Sequence, residues 1–276
     1  VCIATSGPGA TNIVTGLATA YLDSIPLVAI SGQVPVANLG RDAFQEIDIV
    51  GVTMPITKYN AIVRKSEELV PMLRKAFAIA KNGRPGPVLI DVPSDLQVKE
   101  LDYPELEEIK LPEVMKADEG IVEKAAAALN GAERPVLMVG GGAVTSAVEA
   151  ELMELAHKAD LPVVSTLMGL GVYPGSDERA IGLTGMHGHI DCNLAVANAD
   201  VLVVAGSRLS DRVTGDRNRY AGTKTIIHMD IDPSELDKNV VVPMHLSGDL
   251  KETLAKFLPL VKENKHPEWW QQIRDW

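Results

Sequence analysis

Over residues 1–93, short β-branched apolar runs alternate with stretches whose apolar residues recur at helical spacing. VCIAT, PLVAIS, TKYNAIV and GPVLIDVP read as strands, while ATNIVTGLATAYL and SEELVPMLRKAFAIAKNG read as helices. A polar loop and AFQEIDIVG separate the second strand from the third. This alternation predicts parallel strands covered by helices. The pattern fails over residues 96–117, where QVKELDYPELEEIKLPEVMKA is rich in Lys, Glu and Pro, so a surface linker is expected there. A second series follows: helix DEGIVEKAAAALNGA, strand RPVLMVG, helix SAVEAELMELAHKA, strand LPVVST, helix DCNLAVANA, and strands DVLVVAG and KTIIHMDID. A short strand in VVVPMHLSG and the helix DLKETLAKFLPLVKE end this series at residue 262, after which Trp269, Trp270 and Ile273 would share one helical stripe. The predicted class is α/β with doubly wound parallel sheets, one unit over 1–95 and a second over 118–262, with 263–276 leading onward. A doubly wound domain takes about five or six strands. Residues 1–93 supply four, so the first unit is expected to lack its beginning.

Composition narrows the function classes. The net charge is −11 with no basic block to track a phosphate backbone, which argues against nucleic acid. No apolar run approaches the ~20 residues of a membrane span, and the first residues lack a signal-peptide pattern, so a soluble cytoplasmic protein is expected. Cys2 and Cys192 fit small core residues in a reducing compartment, not a disulfide framework. The six histidines are scattered, and MHGH lacks the spacing of a zinc helix, so no metal is expected on this chain alone.

Chemistry is expected beyond the carboxyl ends of the strands, where loops converge on ligands. In the second unit these ends offer Gly140, Gly141 and Gly142, then Thr166, Leu167 and Met168, then Ser207, Arg208 and SDRVTG, then Asp230, Ile231 and Asp232. Glycines admit a ligand close to backbone, arginines suit a pyrophosphate, and carboxylates suit ribose hydroxyls. The fingerprint is imperfect, because Thr145 stands where GxGxxG takes its third glycine. Taken singly, GGG could be a tight turn, Arg208 and Arg212 a solvated pair, and Asp232 a cap for a helix starting at Pro233. In the first unit, TSGPGATN places backbone donors and Asn12 by a helix start, or is simply a βα turn. DAFQE could be a helix start with Phe44 in the core, and GRPGPV a rigid turn into a buried strand.

In order, TSGPGATN, SGQVP, RDAFQE, ITKYN, GRPGPVLIDVP, VGGGA, TLMGLG, GMHG and RVTG closely resemble the acetolactate synthase (acetohydroxyacid synthase) large catalytic subunit family across the chain. The resemblance implies that 1–95 is the later half of a thiamine diphosphate pyrimidine-binding domain and that 118–262 is a central, Rossmann-like FAD-binding domain. Residues 263–276 would lead to a diphosphate-binding domain that holds Mg²⁺ outside this chain. It implies a carboligation in which pyruvate loses CO₂ and the remaining two-carbon unit joins pyruvate or 2-oxobutyrate, in branched-chain amino acid biosynthesis. By the same comparison Pro8, Asn12 and Gln45 border the thiamine, and Phe44, Ala43 and Pro35 line the substrate channel. The implied FAD contacts are Arg84, Gly140, Gly141, Gly142, Thr166, Leu167, Met168, Gly185, Met186, His187, Gly188, Gly206, Arg208, Arg212, Val213, Asp230, Ile231 and Asp249. A homodimer or homotetramer and a small regulatory subunit are implied partners. The activating glutamate of the family falls upstream of residue 1, so this chain alone is expected to be inactive.

Three positions depart from the family pattern: Ser94 stands in place of Lys before Asp95, Thr184 in TGMHG, and Ser210 in SRLSDRVTG. The retained AFQE, GRPGPV and RVTG favour the FAD-containing biosynthetic type over the flavin-free catabolic one. A glyoxylate carboligase-like enzyme, a 2-oxo acid decarboxylase and a non-catalytic flavin-binding module remain the alternatives.

Overall fold

The computed structural model describes residues 1–101, 105 and 108–276, so part of the expected linker lies outside the described residues. The chain forms two compact units, Val1–Glu113 and Val114–Trp276.

The first unit is built on four parallel strands, β1 (Cys2–Ala4), β2 (Leu27–Gln33), β3 (Tyr59–Ile62) and β4 (Pro87–Pro93), in the order β1-β2-β4-β3. β2 and β4 pair along seven residues, from Leu27 with Pro87 to Gln33 with Pro93. Both faces are covered: Val28, Val88 and Ile90 pack with Ala76 and Ala80, while Ala29 and Leu89 pack with Leu17 and Ile49. This two-sided burial explains why VLIDV reads as an unbroken apolar strand. The helices are α1 (Pro8–Asn12), α2 (Val14–Leu22), α3 (Ile49–Thr53), α4 (Ser66–Lys81) and α5 (Ser94–Gln97). Two expectations are corrected. The helix expected over 10–22 is divided at Ile13, so Asn12 ends the short α1 and stands just before the start of α2. DAFQE forms turns, not a helix; α3 begins only at Ile49, where the Asp48 side chain accepts from Gly51 N. Phe44 is 88% exposed, which overturns its reading as a core residue.

The second unit holds six parallel strands: β5 (Pro135–Val139), β6 (Val163–Ser165), β7 (Ala180–Leu183), β8 (Val201–Ala205), β9 (Thr225–Asp230) and β10 (Met244–Ser247). Their order is β10-β9-β8-β5-β6-β7. Renumbered within the unit and read from the β7 edge, this is 3-2-1-4-5-6, the order of doubly wound dinucleotide-binding sheets, whose direction reverses between β5 and β8. Helices α6 (Glu119–Asn130), α7 (Gly141–Ser146), α8 (Glu149–Ala159), α9 (Ile190–Asn198), α10 (Asp211–Thr214), α11 (Arg217–Ala221), α12 (Leu250–Phe257) and α13 (Pro267–Asp275) complete it. One face of the sheet packs Leu137, Val139 and Val203 against Leu152, Leu155 and Phe257. The other packs Met138, Leu202 and Val204 with Ala195, Trp269 and Ile273. Within α13, Trp269 and Ile273 are buried and Trp270 is half-buried, and the Trp269 indole donates to Pro135 O at 3.1 Å. Among the described residues no helix is long and apolar enough to cross a membrane.

Candidate functional site

The strand order puts the carboxyl ends of β5 and β8 side by side, and the glycines that follow them are in close contact. Gly140 N donates to Ala205 O and Gly142 N to Gly206 O, both at 2.9 Å. A Cβ on Gly140 would lie 2.3 Å from Gly206 O, and one on Gly142 would lie 2.8 Å from Gly206 Cα. Gly206 has φ +64, a left-handed conformation that glycine adopts without strain, and a side chain there would sit 2.6 Å from Ala143 N. GGG is therefore neither an isolated turn nor a surface loop: Gly140 caps α7, whose amide end opens at the β5/β8 switch point.

The neighbouring strand ends join the same rim. After β6, Thr166 N bonds Val139 O at 2.9 Å, while Leu167 and Met168 lie 69% and 49% exposed. After β7, a strand absent from the sequence reading, Met186 N donates to Arg212 O at 2.8 Å and Gly188 N to Gly185 O at 2.9 Å. Met186 and His187 are exposed. After β8, Arg208 is half-buried and has no ion-pair partner among the described residues. Arg212 is largely exposed, with Nε 3.8 Å from Asp211 and Nη1 3.4 Å from Met186 Sδ. Val213 packs against the core instead. After β9, Asp230 and Ile231 are half-buried; burial pushes the Asp230 carboxyl up, and the Asp232 amide and the nearby His228 oppose that push. Asp232 caps the turn at Pro233, as its alternative reading held, and Asp249 caps α12 by accepting from Glu252 N at 3.0 Å.

Three side chains that hold these loops escaped the sequence reading. Asn193 on α9 brackets Gly185, accepting from its N–H at 2.9 Å and donating to its carbonyl at 3.0 Å. His228 Nε2 lies 2.8 Å from Ser207 O, and Asn239 Nδ2 donates to Arg208 O at 3.2 Å. A polar residue inside the apolar strand IIHMD was the available signal for His228; nothing in spacing marks the two asparagines. At the start of α9, ligand atoms of His189, Asp191 and Cys192 lie within 4.8 Å of one another. The Cys192 thiol donates to Ile181 O, and burial pushes it up to about 12, so this trio offers no ready thiolate for a metal.

In the first unit, the turn after β1 and the AFQE turn meet. A Cβ on Gly7 would lie 2.7 Å from Gln45 O, and Gly7 itself has φ +56. Gln45 is exposed at φ +59, an uncommon left-handed conformation for a residue with a side chain. Glu46 holds that turn, accepting from the amides of Gly40, Arg41 and Ala43, and these bonds keep its carboxyl below the usual range. Beneath it lies a buried network that motif reading missed. Ser31 Oγ donates to Asp91 Oδ1 at 2.6 Å, and Gln33 Nε2 reaches Asp91 Oδ2 at 2.9 Å and Ile47 O at 2.8 Å. The strand ends of β2 and β4 are thereby tied to the segment that carries Ala43, Phe44 and Gln45. Pro8 and Asn12 are exposed on α1, and Pro35 is half-buried after β2. Arg84 lies in the turn before β4, with Nε donating to Ser24 Oγ at 2.8 Å.

A family described as "Thiamine pyrophosphate enzyme, central domain" matches residues 122–257, and "Thiamine pyrophosphate enzyme, N-terminal TPP binding domain" matches residues 1–52. The acetolactate synthase large subunit of Haemophilus influenzae is 42% identical, over 99% of this chain and 50% of that protein. A probable acetolactate synthase large subunit of Methanocaldococcus jannaschii is 47% identical over 98% and 47% respectively. That of Corynebacterium glutamicum is 46% identical over 100% and 44%. The chain thus spans about half the length of the curated relatives it matches. With a family match on each unit and identity sustained from end to end, this chain belongs to the thiamine pyrophosphate enzymes, as a homologue of acetolactate synthase large subunits.

Proposed function

We propose that the chain is part of an acetolactate synthase, which decarboxylates pyruvate with thiamine diphosphate and joins the two-carbon unit to pyruvate or 2-oxobutyrate. The reaction belongs to branched-chain amino acid biosynthesis in the cytoplasm. The observation that carries this reading is the 42% identity to an acetolactate synthase large subunit over 99% of the chain. In this reading Pro8, Asn12 and Gln45 border the thiamine, while Pro35, Ala43 and Phe44 line the approach of the 2-oxo acid. The meeting of the Gly7 and Gln45 turns, and a Phe44 ring left free of the core, support those roles. A small regulatory subunit and a homodimer or homotetramer complete the enzyme; Mg²⁺ is held outside this chain.

The second unit would hold FAD. The fit rests on the glycine loops of β5 and β8, which meet backbone to backbone with no room for a Cβ at Gly140, Gly142 or Gly206, and on two arginines at their rim. The Gly141 amide, which donates to neither of the carbonyls that hold Gly140 and Gly142, would approach the pyrophosphate, Arg208 and Arg212 would neutralise it, and Asp230 would accept from ribose hydroxyls. Leu167, Met168 and Met186 would exclude water from an apolar ring. FAD, when bound, supplies a structural role, because the carboligation moves no net electrons. Titration of the purified chain with FAD, followed by flavin fluorescence, tests this. Saturable binding that weakens by about tenfold or more in Arg208→Ala or Arg212→Ala is expected, as for a lost hydrogen bond to a charged group. A folded chain that ignores FAD would overturn the flavin site.

A further inference from the structure

The segment that follows β8 has no regular structure to hold it. Gly206 and Leu209 bracket it at φ +64 and φ +49, the second a left-handed conformation unusual for leucine. Its three successive carbonyls are instead each held by a different element. Gly206 O accepts from Gly142 N at 2.9 Å, Ser207 O from His228 Nε2 at 2.8 Å, and Arg208 O from Asn239 Nδ2 at 3.2 Å. With all three carbonyls turned into the protein, the direction in which Arg208 leaves the sheet is fixed.

We infer that His228 is a positioning residue for the ligand loop: its Nε2–H anchors the Ser207 carbonyl and so sets the placement of Arg208 beside the glycine cradle. A carbonyl oxygen only accepts, so the proton must sit on Nε2. Nδ1 is then a bare acceptor, and it has no hydrogen-bond partner among the described residues. His228 is 1% exposed, and that burial favours the neutral ring the geometry requires. Apolar packing alone would not select a histidine here. Met138, Leu202 and Val204 fill the sheet around it with hydrocarbon and sulfur, whereas His228 places one donor under one carbonyl. The inference rests on the nucleotide reading of the cradle for its consequence, but the anchoring itself can be measured without a ligand.

The experiment compares the full chain with His228→Gln, His228→Asn and His228→Met. Glutamine carries its amide nitrogen where histidine carries Nε2; asparagine is too short, and methionine is of similar length without a donor. Two measurements are made: FAD titration, and hydrogen exchange at the Gly142 and Gly206 amides and across α10. β5 amides serve as the control for global folding, and methionine keeps the comparison readable if a buried asparagine prevents folding. His228→Gln is expected to stay within about threefold of the parent in FAD affinity and to keep the loop amides protected. His228→Asn and His228→Met are expected to lose about tenfold and to deprotect those amides, the usual effect of one missing hydrogen bond. Equal behaviour of all three variants, or full protection in the two that lack the donor, would overturn the inference. If the parent chain ignores FAD while exchange still separates Gln from Asn and Met, the anchoring stands and the nucleotide reading falls.

Discussion

Replacing Gly140 by alanine inserts a methyl group where three neighbouring atoms already stand. The new Cβ would lie 2.3 Å from Gly206 O, 2.7 Å from Ser207 Cβ and 2.8 Å from Ser207 Cα. Two of these are backbone, so relief requires the β5 and β8 loops to part. Overpacking of this kind costs about 1–3 kcal/mol. The stiffer unfolded chain returns about 0.4–1 kcal/mol, because the φ of −120° suits alanine. A net loss of about 1–2 kcal/mol follows. Gly141→Ala is the matched control: its nearest contact would be Met168 Cβ at 3.1 Å, which a shift of a few tenths of an ångström in that loop relieves, against contacts of 2.3–2.8 Å for Gly140. Within α7, alanine should recover up to about 1 kcal/mol of helix propensity, leaving that variant equal to or more stable than the parent. All three tryptophans, Trp269, Trp270 and Trp276, lie in the second unit, so tryptophan fluorescence in urea reports on that unit alone. With a urea dependence of about 2 kcal/mol per molar, the Gly140→Ala midpoint should fall by about 0.5–1 M. A Gly140→Ala midpoint equal to the parent's, or an equal fall in Gly141→Ala, would refute the claim that the two loops meet backbone to backbone.

Asp91→Ala should destabilise the first unit by about 1–3 kcal/mol, since it removes the acceptor of both Ser31 Oγ and Gln33 Nε2; exchange of the β2 and β4 amides measures it. Burial raises the Asp91 carboxyl above its ordinary 3.8, so the native state holds that proton more tightly. Its contribution is therefore largest below pH 3.8 and is lost as pH rises through the folded value, and the variant should lack that slope in a pH series of exchange rates. Phe44→Ala should leave the exchange-measured stability of the first unit within about 0.5 kcal/mol, because the ring is 88% exposed; a larger loss would return Phe44 to the core. Trp269→Ala should cost the second unit about 3–5 kcal/mol, seen by circular dichroism in urea, as it empties a buried site and leaves Pro135 O unpaired.

Strands with two buried faces were legible because packing on both sides demands unbroken β-branched runs: VLIDV, PVLMV and VLVVA all carry that mark. β7 lacked it. Its four residues are only half-buried, Gly182 sits at φ +129, and its pairing with β6 shifts register between Val163 and Val164. The glycine loops were legible as chemistry because their close approach leaves no room for a Cβ, a constraint local enough to fix residue type. AFQE, for which a helix start was one of two readings, forms a turn because helix propensity is a weak prior and Glu46 closes the segment through backbone amides. The residues that escaped, His228, Asn239 and the Ser31–Gln33–Asp91 network, act across separations of 21 to 60 residues, apart from the 14 from Gln33 to Ile47, while Asn193 reaches Gly185 eight residues away across a loop. Their partners are carbonyls and carboxylates that only the folded sheet brings near.

The placement of β5 between β6 and β8 also governs how the second unit can be assembled. β5 and β6 adjoin early, but the other edge of β5 pairs Val136 with Leu202 and Val139 with Ala205. On a ribosome that edge stays open until α9 and β8 have emerged, and an open apolar edge is a template for wrong partners. Gly140 and Gly206 first touch when that gap closes, so the cradle cannot exist before β8 has joined the sheet, while β9 and β10 are added outside it. Any ligand that requires both loops acts as an inspector of that seam: it is retained by molecules in which the seam has closed and passes over those in which it is still open.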